Sequence, residues 1–90
     1  LSVQAYPNPF NPQLTIRYHL GEASRIRVRI FNVTGQLVWE YTSNDIQGAG
    51  AHELIWDGRD AFDHLVPTGV YFARLEAGSV SQSVKLVSLK

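Results

Sequence analysis

Three aspartates recur at every third position in one short stretch, at Asp57, Asp60 and Asp63. Hard cations take several oxygen ligands, so a calcium site is one interpretation of this stretch. The spacing lacks the acidic pattern and the closing glutamate of a helix-loop-helix calcium loop. Aspartates are also common in turns, where the side chain accepts backbone N–H bonds. We favour the turn interpretation and keep calcium binding as the alternative.

The remaining polar residues offer little for catalysis. His19, His52 and His64 are far apart and do not have metal-ligand spacing. The absence of cysteine excludes disulfides and thiolate metal sites. No Gly-x-Ser-x-Gly turn presents a nucleophile, and a domain this small has a thin core with little depth for a dry pocket. We therefore expect no cofactor, no metal and no enzymatic activity.

Arginines alternate along one predicted strand, at Arg25, Arg27 and Arg29. Alternate residues of a strand share a face, so these side chains form a basic stripe, with Arg17 or Arg74 nearby. Such a stripe can bind an anionic glycan or lipopolysaccharide phosphate, which arginine contacts through two hydrogen bonds. A solvated face that discourages edge-to-edge aggregation is the more ordinary interpretation, and we favour it.

The two tryptophans bear on sugar binding. Trp56 precedes the Asp57-Gly58 turn, and we expect it in the core. Trp39 shares a face with Tyr41 in a regular strand, whereas Val38 and Tyr41 point inward together only if a bulge intervenes. An exposed Trp39 ring would be a candidate glycan contact, because flat aromatics stack on sugars.

The secondary-structure elements that position these residues are all predicted to be strands. Short runs of alternating apolar and polar residues are interrupted by turn residues every eight to twelve positions, which is typical of hairpins in a sandwich or barrel. The clearest run is Leu14, Ile16, Tyr18 and Leu20. We predict an all-β, immunoglobulin-like β-sandwich of about seven antiparallel strands, with residues 1–90 as a single domain. The predicted strands are 2–6, 14–20, 26–30, 37–42, 51–56, 69–77 and 80–89.

Composition narrows the class of protein further. The 90 residues are 44% hydrophobic and 18% charged, which indicates a globular chain. Eight basic residues balance eight acidic ones, so a nucleic-acid binder is not expected. No apolar run approaches the length that spans a bilayer. Because the chain begins at Leu1 without a signal segment, we expect it to be cut from a longer protein.

One family shares the motifs of this sequence in order. They begin with Tyr6-Pro7-Asn8-Pro9-Phe10-Asn11-Pro12 and continue through Ile30-Phe31-Asn32-Val33-Thr34-Gly35-Gln36 and Trp56-Asp57-Gly58-Arg59-Asp60 to Gly69-Val70-Tyr71-Phe72 and Lys85. Together they resemble the type IX secretion C-terminal sorting domains, and the immunoglobulin-like domain of flagellar hook-capping proteins is similar. Asp63 stands where that family has a glycine, and aspartate tolerates the left-handed backbone that such a turn needs.

The resemblance implies a function. Such domains end exported proteins of Bacteroidetes-like bacteria, so the machinery of an outer-membrane translocon is the implied partner. Cleavage of the domain while the cargo is attached to surface lipopolysaccharide is implied as well. The recognition positions would be Pro7, Asn8, Pro9, Gly69, Val70, Tyr71 and Lys85. The family pattern also implies that Trp39 faces outward, either exposed or covered by arginines, and that the chain ends naturally at Lys90.

Three functions therefore remain open. The first is a secretion and sorting domain that reaches the cell surface or the medium through the periplasm. The second is an immunoglobulin-like linker of a multidomain extracellular enzyme. The third is a carbohydrate-binding module that uses Trp39.

Overall fold

The computed structural model describes residues 1–89, and they form seven strands in two sheets. A three-stranded sheet has the order β1-β2-β5, and a four-stranded sheet has the order β4-β3-β6-β7. All pairs of neighbouring strands are antiparallel, which confirms the predicted immunoglobulin-like sandwich. No helix in this part of the chain is long and apolar enough to cross a bilayer. The strands are β1 (Ser2–Tyr6), β2 (Leu14–Leu20), β3 (Ile26–Asn32), β4 (Leu37–Thr42), β5 (Gly50–Trp56), β6 (Gly69–Ala77) and β7 (Val80–Ser88).

Apolar side chains at alternate positions of the strands fill the space between the two sheets. In β2 every second residue, beginning with Leu14, is buried, and the residues between them are exposed or half-buried. The same pattern recurs in β3 and β6. Trp56 is 1% exposed at the end of β5, as expected for a core residue. Because each sheet covers the apolar face of the other, the strands bury these side chains without any helix.

Small differences separate the predicted and observed strand bounds. β3 continues two residues further than predicted, to Asn32, while β5 begins one residue earlier, at Gly50. β7 ends at Ser88 rather than at residue 89. The Asn32 side chain explains the first difference, because its Oδ1 accepts the backbone N–H groups of Thr34 and Gln36 at 3.1 and 2.9 Å and thereby closes the hairpin directly after the strand.

A bulge, which the sequence left open as one of two possibilities, lies in β4. Ile30 pairs with Trp39, but the next residue, Phe31, pairs with Leu37, so Val38 is the extra residue on its strand. An extra residue lets two consecutive side chains turn to the same side. Val38 and Trp39 accordingly both pack against the core, together with Tyr41.

The chain changes sheets directly after β1. Tyr6 still pairs with Thr15 in the three-stranded sheet, whereas Phe10 forms a parallel bridge with Ser88 in the other sheet. Prolines between and after these points lack the N–H that a ladder needs, so regular pairing with β2 ends at Tyr6. The Phe10 side chain is buried, with its ring centroid 5.5 Å from that of Trp56.

Candidate recognition site

Asn8 joins the start of the chain to its last strand. Its Nδ2 donates to the Lys85 carbonyl at 2.8 Å, and its Oδ1 accepts the Val87 N–H at 2.9 Å. A side-chain amide carries the same donor and acceptor as a peptide group, so it can pair with a strand edge. Pro7 and Pro9 on either side have no N–H to offer. The Asn8 side chain therefore takes the place of the backbone at this point of the edge.

Backbone pairing continues from Phe10. Its N–H donates to the Val87 carbonyl at 2.8 Å, and its carbonyl accepts the Leu89 N–H at 3.0 Å. Together with the two Asn8 bonds, these bonds cover the β7 edge from Lys85 to Leu89. We call this arrangement of Asn8 and Phe10 on β7 the edge latch.

The other predicted recognition residues lie on β6, next to β7, and on β7 itself. Gly69, Val70 and Tyr71 pair with Ser88, Val87 and Leu86, so β7 separates them from Asn8 by a single strand. Lys85 is one of the two β7 residues that Asn8 contacts. The structure thus brings all seven predicted positions into one region, which we call the recognition corner. It comprises Pro7, Asn8, Pro9, Gly69, Val70, Tyr71 and Lys85.

Tyr71 has a structural partner within this corner. Its hydroxyl donates to the carbonyl of Pro67, four residues earlier in the chain, at 2.7 Å, which is the hydrogen bond of a tyrosine corner. The residue is 5% exposed, and burial raises the pKa of its phenol. Its side chain therefore fixes the start of β6, whereas Lys85 and Asn8 are exposed at the surface of the corner.

The outer face of the four-stranded sheet carries the predicted basic stripe. Arg29 and Arg74 are register partners, and both lie beside Glu76: Arg29 is hydrogen-bonded to its carboxylate, and Arg74 Nε lies 3.6 Å away. The hydrogen bond from Arg29 is the main cause of the lowered pKa of Glu76. A cation–π contact places the Arg29 guanidinium 5.7 Å from the Phe31 ring centroid. Part of the stripe is therefore occupied by contacts within the domain.

Two of the three aspartates in residues 57–63 form hydrogen bonds with the backbone of their own loop. Asp57 Oδ1 accepts the Arg59 N–H at 3.0 Å, and Asp60 Oδ1 accepts the N–H groups of Phe62 and His64 at 2.9 and 3.0 Å. The bond from His64 is the main cause of the lowered pKa of Asp60. Asp63 adopts a left-handed backbone with φ of 65°, as its place in the family pattern suggested. Within residues 1–89 no three His, Asp or Glu side chains are grouped to hold a metal ion. The contacts of Asp57 and Asp60 are those expected of turn-forming aspartates.

Trp39 lies on the inner side of β4, contrary to the outward placement that the resemblance implied. Its ring centroid is 6.0 Å from that of Trp56 and 6.3 Å from that of Tyr41. The bulge at Val38 is the reason, because it shifts the register so that Trp39 opposes the core residue Ile30. The ring is half-buried and still lines an open groove of about 470 Å³, beside Asp57 and Arg59.

Two features of this region were missed from the sequence. The edge latch joins residues 77 and 79 positions apart, and no local pattern indicates such a contact. Phe31 and Phe72 both face outward from the four-stranded sheet, where they are register partners in β3 and β6. The alternation of Arg27, Arg29 and Phe31 was the available signal, because it places Phe31 on the same outward face as the arginines.

The comparisons with solved structures give the fold. The chain is 23% identical, with a TM-score of 0.70, to a part of PorZ, a surface component of the type IX secretion system of Porphyromonas gingivalis, covering 98% of this chain and 11% of that one. It is 21% identical, with a TM-score of 0.76, to a part of latent PorU from the same organism, covering 97% of this chain and 9% of that one. FlgD from Pseudomonas aeruginosa matches at 21% identity and a TM-score of 0.67, over 83% of this chain and 58% of that one. The chain thus spans about a tenth of the length of the first two proteins.

Family comparison is more direct. No curated protein matches the sequence significantly. The family model described as the secretion system C-terminal sorting domain matches residues 4–89, which include all seven strands except the first residues of β1. That match, with the predicted motifs brought together in one folded unit, identifies the chain as a member of the secretion system C-terminal sorting domain family.

Proposed function

We propose that this chain is the folded label by which a larger exported protein is recognised at the outer membrane. The parent protein reaches the periplasm, the label is read by the translocation machinery, and the cargo passes to the cell surface or the medium. The observation that carries this proposal is the family match over residues 4–89, because it extends over all seven strands rather than a single motif. Residues 1–90 act as a single domain in this role.

The domain itself does no chemistry in this proposal. Its polar clusters are engaged in structure: Asp57 and Asp60 accept backbone N–H bonds, and the arginines beside Glu76 form ion pairs. Attachment to lipopolysaccharide is a property of the cargo once the label has delivered it, and the label is removed at that step.

The recognition corner is the part of the label that the machinery contacts. Pro7, Asn8 and Pro9 lie along one edge of β7, and Gly69 and Val70 lie on the strand beyond it. The corner is continuous in space although its parts are distant in the sequence, so only the folded domain presents it. An unfolded domain would therefore fail as a label even with every motif intact.

Removal of the domain from its parent tests the proposal. We expect the truncated parent to remain in the periplasm, as measured by cell fractionation and immunoblotting of a type IX-competent host. The matched control replaces the domain with the similar sandwich of FlgD, which retains a fold of this kind. Normal secretion of the truncated parent would overturn the proposal and leave the role of an immunoglobulin-like linker.

Carbohydrate binding is a second candidate because of one observation, the groove of about 470 Å³ that the Trp39 ring lines beside Asp57 and Arg59. Aromatic rings next to carboxylate and guanidinium groups can bind sugars. Affinity electrophoresis in polysaccharide gels tests this role. Retardation that is abolished in Trp39→Ala would support it, and unretarded migration of the wild-type chain would reject it.

A further inference from the structure

An apolar row crosses the outer face of the four-stranded sheet. Phe31 of β3 pairs with Leu37 of β4 on one side and with Phe72 of β6 on the other, and Phe72 in turn pairs with Lys85 of β7. Register partners point to the same face of a sheet. Leu37 is 52% exposed and Phe72 is 40% exposed, so the row lies at the surface.

The row is extended by a second apolar pair. Val70 and Val87 are register partners, and each lies two residues from Phe72 or Lys85, so both share the outward face. The outward positions of an antiparallel sheet that meets water are normally polar. Here a contiguous set of apolar side chains faces outward, and such sets mark interaction surfaces in soluble domains. We call this set the apolar row; it comprises Leu37, Phe31, Phe72, Val70 and Val87.

Charge on the same face is unequal. Alternation along the strands places four cations and two carboxylates beside the apolar row, although the whole chain has no net charge. Lys85 stands at one end of the row, and Arg29 and Arg74 occupy the neighbouring row. The cations are Arg27, Arg29, Arg74 and Lys85, and the carboxylates are Glu40 and Glu76.

We propose that this face is the docking surface for a protein of the secretion machinery, whose own surface presents apolar side chains bordered by carboxylates. The inference rests on the proposed function and specifies which surface of the label is read. It extends contact beyond the recognition corner, across all four strands to Leu37. Complementary charge would orient the encounter, and the apolar row would supply most of the binding free energy.

Two other occupants fit the face less well. Hydrocarbon cannot cover the row without desolvating Glu40 and Glu76, whose carboxylates share its face, and buried charges are costly. A second copy of the chain would bring two faces of net positive charge together, which is unfavourable in a symmetric pair. An acidic protein surface avoids the like-charge repulsion, and unlike hydrocarbon it has polar groups that can hydrogen-bond to the two carboxylates.

Export of a reporter tests the inference. The reporter is fused to the N-terminal side of the chain and expressed in a type IX-competent bacterium, as wild type, Leu37→Gln and Phe72→Gln. The matched control is Ile55→Gln, because Ile55 is 57% exposed and pairs with Thr15 on the outer face of the other sheet. Leu37 is informative because it lies on β4, three strands from the β7 edge, and outside the recognition corner.

We expect Leu37→Gln and Phe72→Gln each to lower export about tenfold, as for loss of an interface hot spot, while Ile55→Gln exports like wild type. Equal export by all four fusions would overturn the inference and leave the proposed function standing. Failure of the wild-type fusion would instead reject the proposed function, and this inference with it. If Phe72→Gln does not accumulate, Leu37→Gln alone decides, since its side chain is more exposed.

The alternative occupants are measured with the purified chain. We expect no flotation with vesicles of phosphatidylcholine and phosphatidylglycerol, and a monomer in sedimentation velocity. If the wild-type chain binds vesicles and Phe72→Gln does not, the face binds a membrane, and the proposal of a protein partner is overturned. If the wild-type chain is a dimer and Phe72→Gln is a monomer, the face binds a second copy of the chain, and the proposal is likewise overturned.

Discussion

Loss of the edge latch is the most informative perturbation of the fold. Asn8→Ala removes a donor to the Lys85 carbonyl at 2.8 Å and an acceptor from the Val87 N–H at 2.9 Å. The flanking prolines cannot supply a replacement donor, because they have no N–H. The Phe10 bonds further along β7 remain, so the change isolates the contribution of the amide.

Its magnitude follows from the two bonds. A hydrogen bond within a protein contributes about 0.5–1.5 kcal/mol net, and exposed bonds fall toward the lower end because water replaces the lost partner. Asn8→Ala should therefore lower the free energy of unfolding by about 1–2 kcal/mol. For a domain of this size, that corresponds to a fall in Tm of roughly 5–15 °C.

Chemical denaturation of the purified chain measures this effect. Asn11→Ala is the matched control, since Asn11 is exposed in the same segment and its side chain makes no hydrogen bond within residues 1–89. Asn8→Asp should be at least as destabilising as Asn8→Ala, because it sets a carboxylate oxygen against the Lys85 carbonyl. An unfolding free energy for Asn8→Ala equal to that of the control would refute the latch as a stabilising contact.

Three further predictions concern stability. Gly58→Ala should destabilise the domain by several kcal/mol, because a Cβ on Gly58 would collide with the Pro12 carbonyl and the φ of Gly58 is 78°. The control Gly48→Ala has open space around the new Cβ, so the midpoint of its denaturant unfolding should change little. Tyr71→Phe should lower the free energy of unfolding in urea at pH 7 by about 1 kcal/mol, because it removes one hydrogen bond. Since the pKa of Tyr71 is raised in the folded state, the stability of the wild type should hold below pH 10.0 and fall above it, and this fall should be steeper in the wild type than in Tyr71→Phe. The pKa of Glu76 is lowered in the folded state, so its contribution to stability is present above pH 4.5 and is lost as the pH falls below that value. Glu76→Gln should therefore reduce the loss of stability that acid causes. An equal loss of stability in acid for Glu76→Gln and the wild type would contradict the ion pair.

Much of the fold is predictable because one face of each central strand is buried. Leu14 and the alternate residues after it must face a core, and a shift by one residue would expose all of them. The same reasoning explains why Trp56, next to a turn, was placed in the core correctly. Turn residues such as Asp60 were also identified by their chemistry, since a short side chain that accepts backbone N–H bonds is favoured there.

Features that depend on distant pairing are not predictable in this way. Alternation alone left two placements open for Trp39, and the register shift at Val38 decides between them. A bulge depends on how two strands meet, which neither strand encodes by itself. The contact of Asn8 with β7 and the register pairing of Phe31 with Phe72 arise likewise from the strand order β3-β6-β7.

Export of a grafted reporter tests the central claim most directly. A periplasmic reporter is joined to the N-terminal side of this chain, and the fraction of reporter outside the cell is measured in a type IX-competent bacterium. The matched control carries the FlgD sandwich, which has a similar fold at a TM-score of 0.67. A sorting label predicts export of the first fusion and periplasmic retention of the second. Retention of both, or export of both, would contradict the claim that this domain is the address.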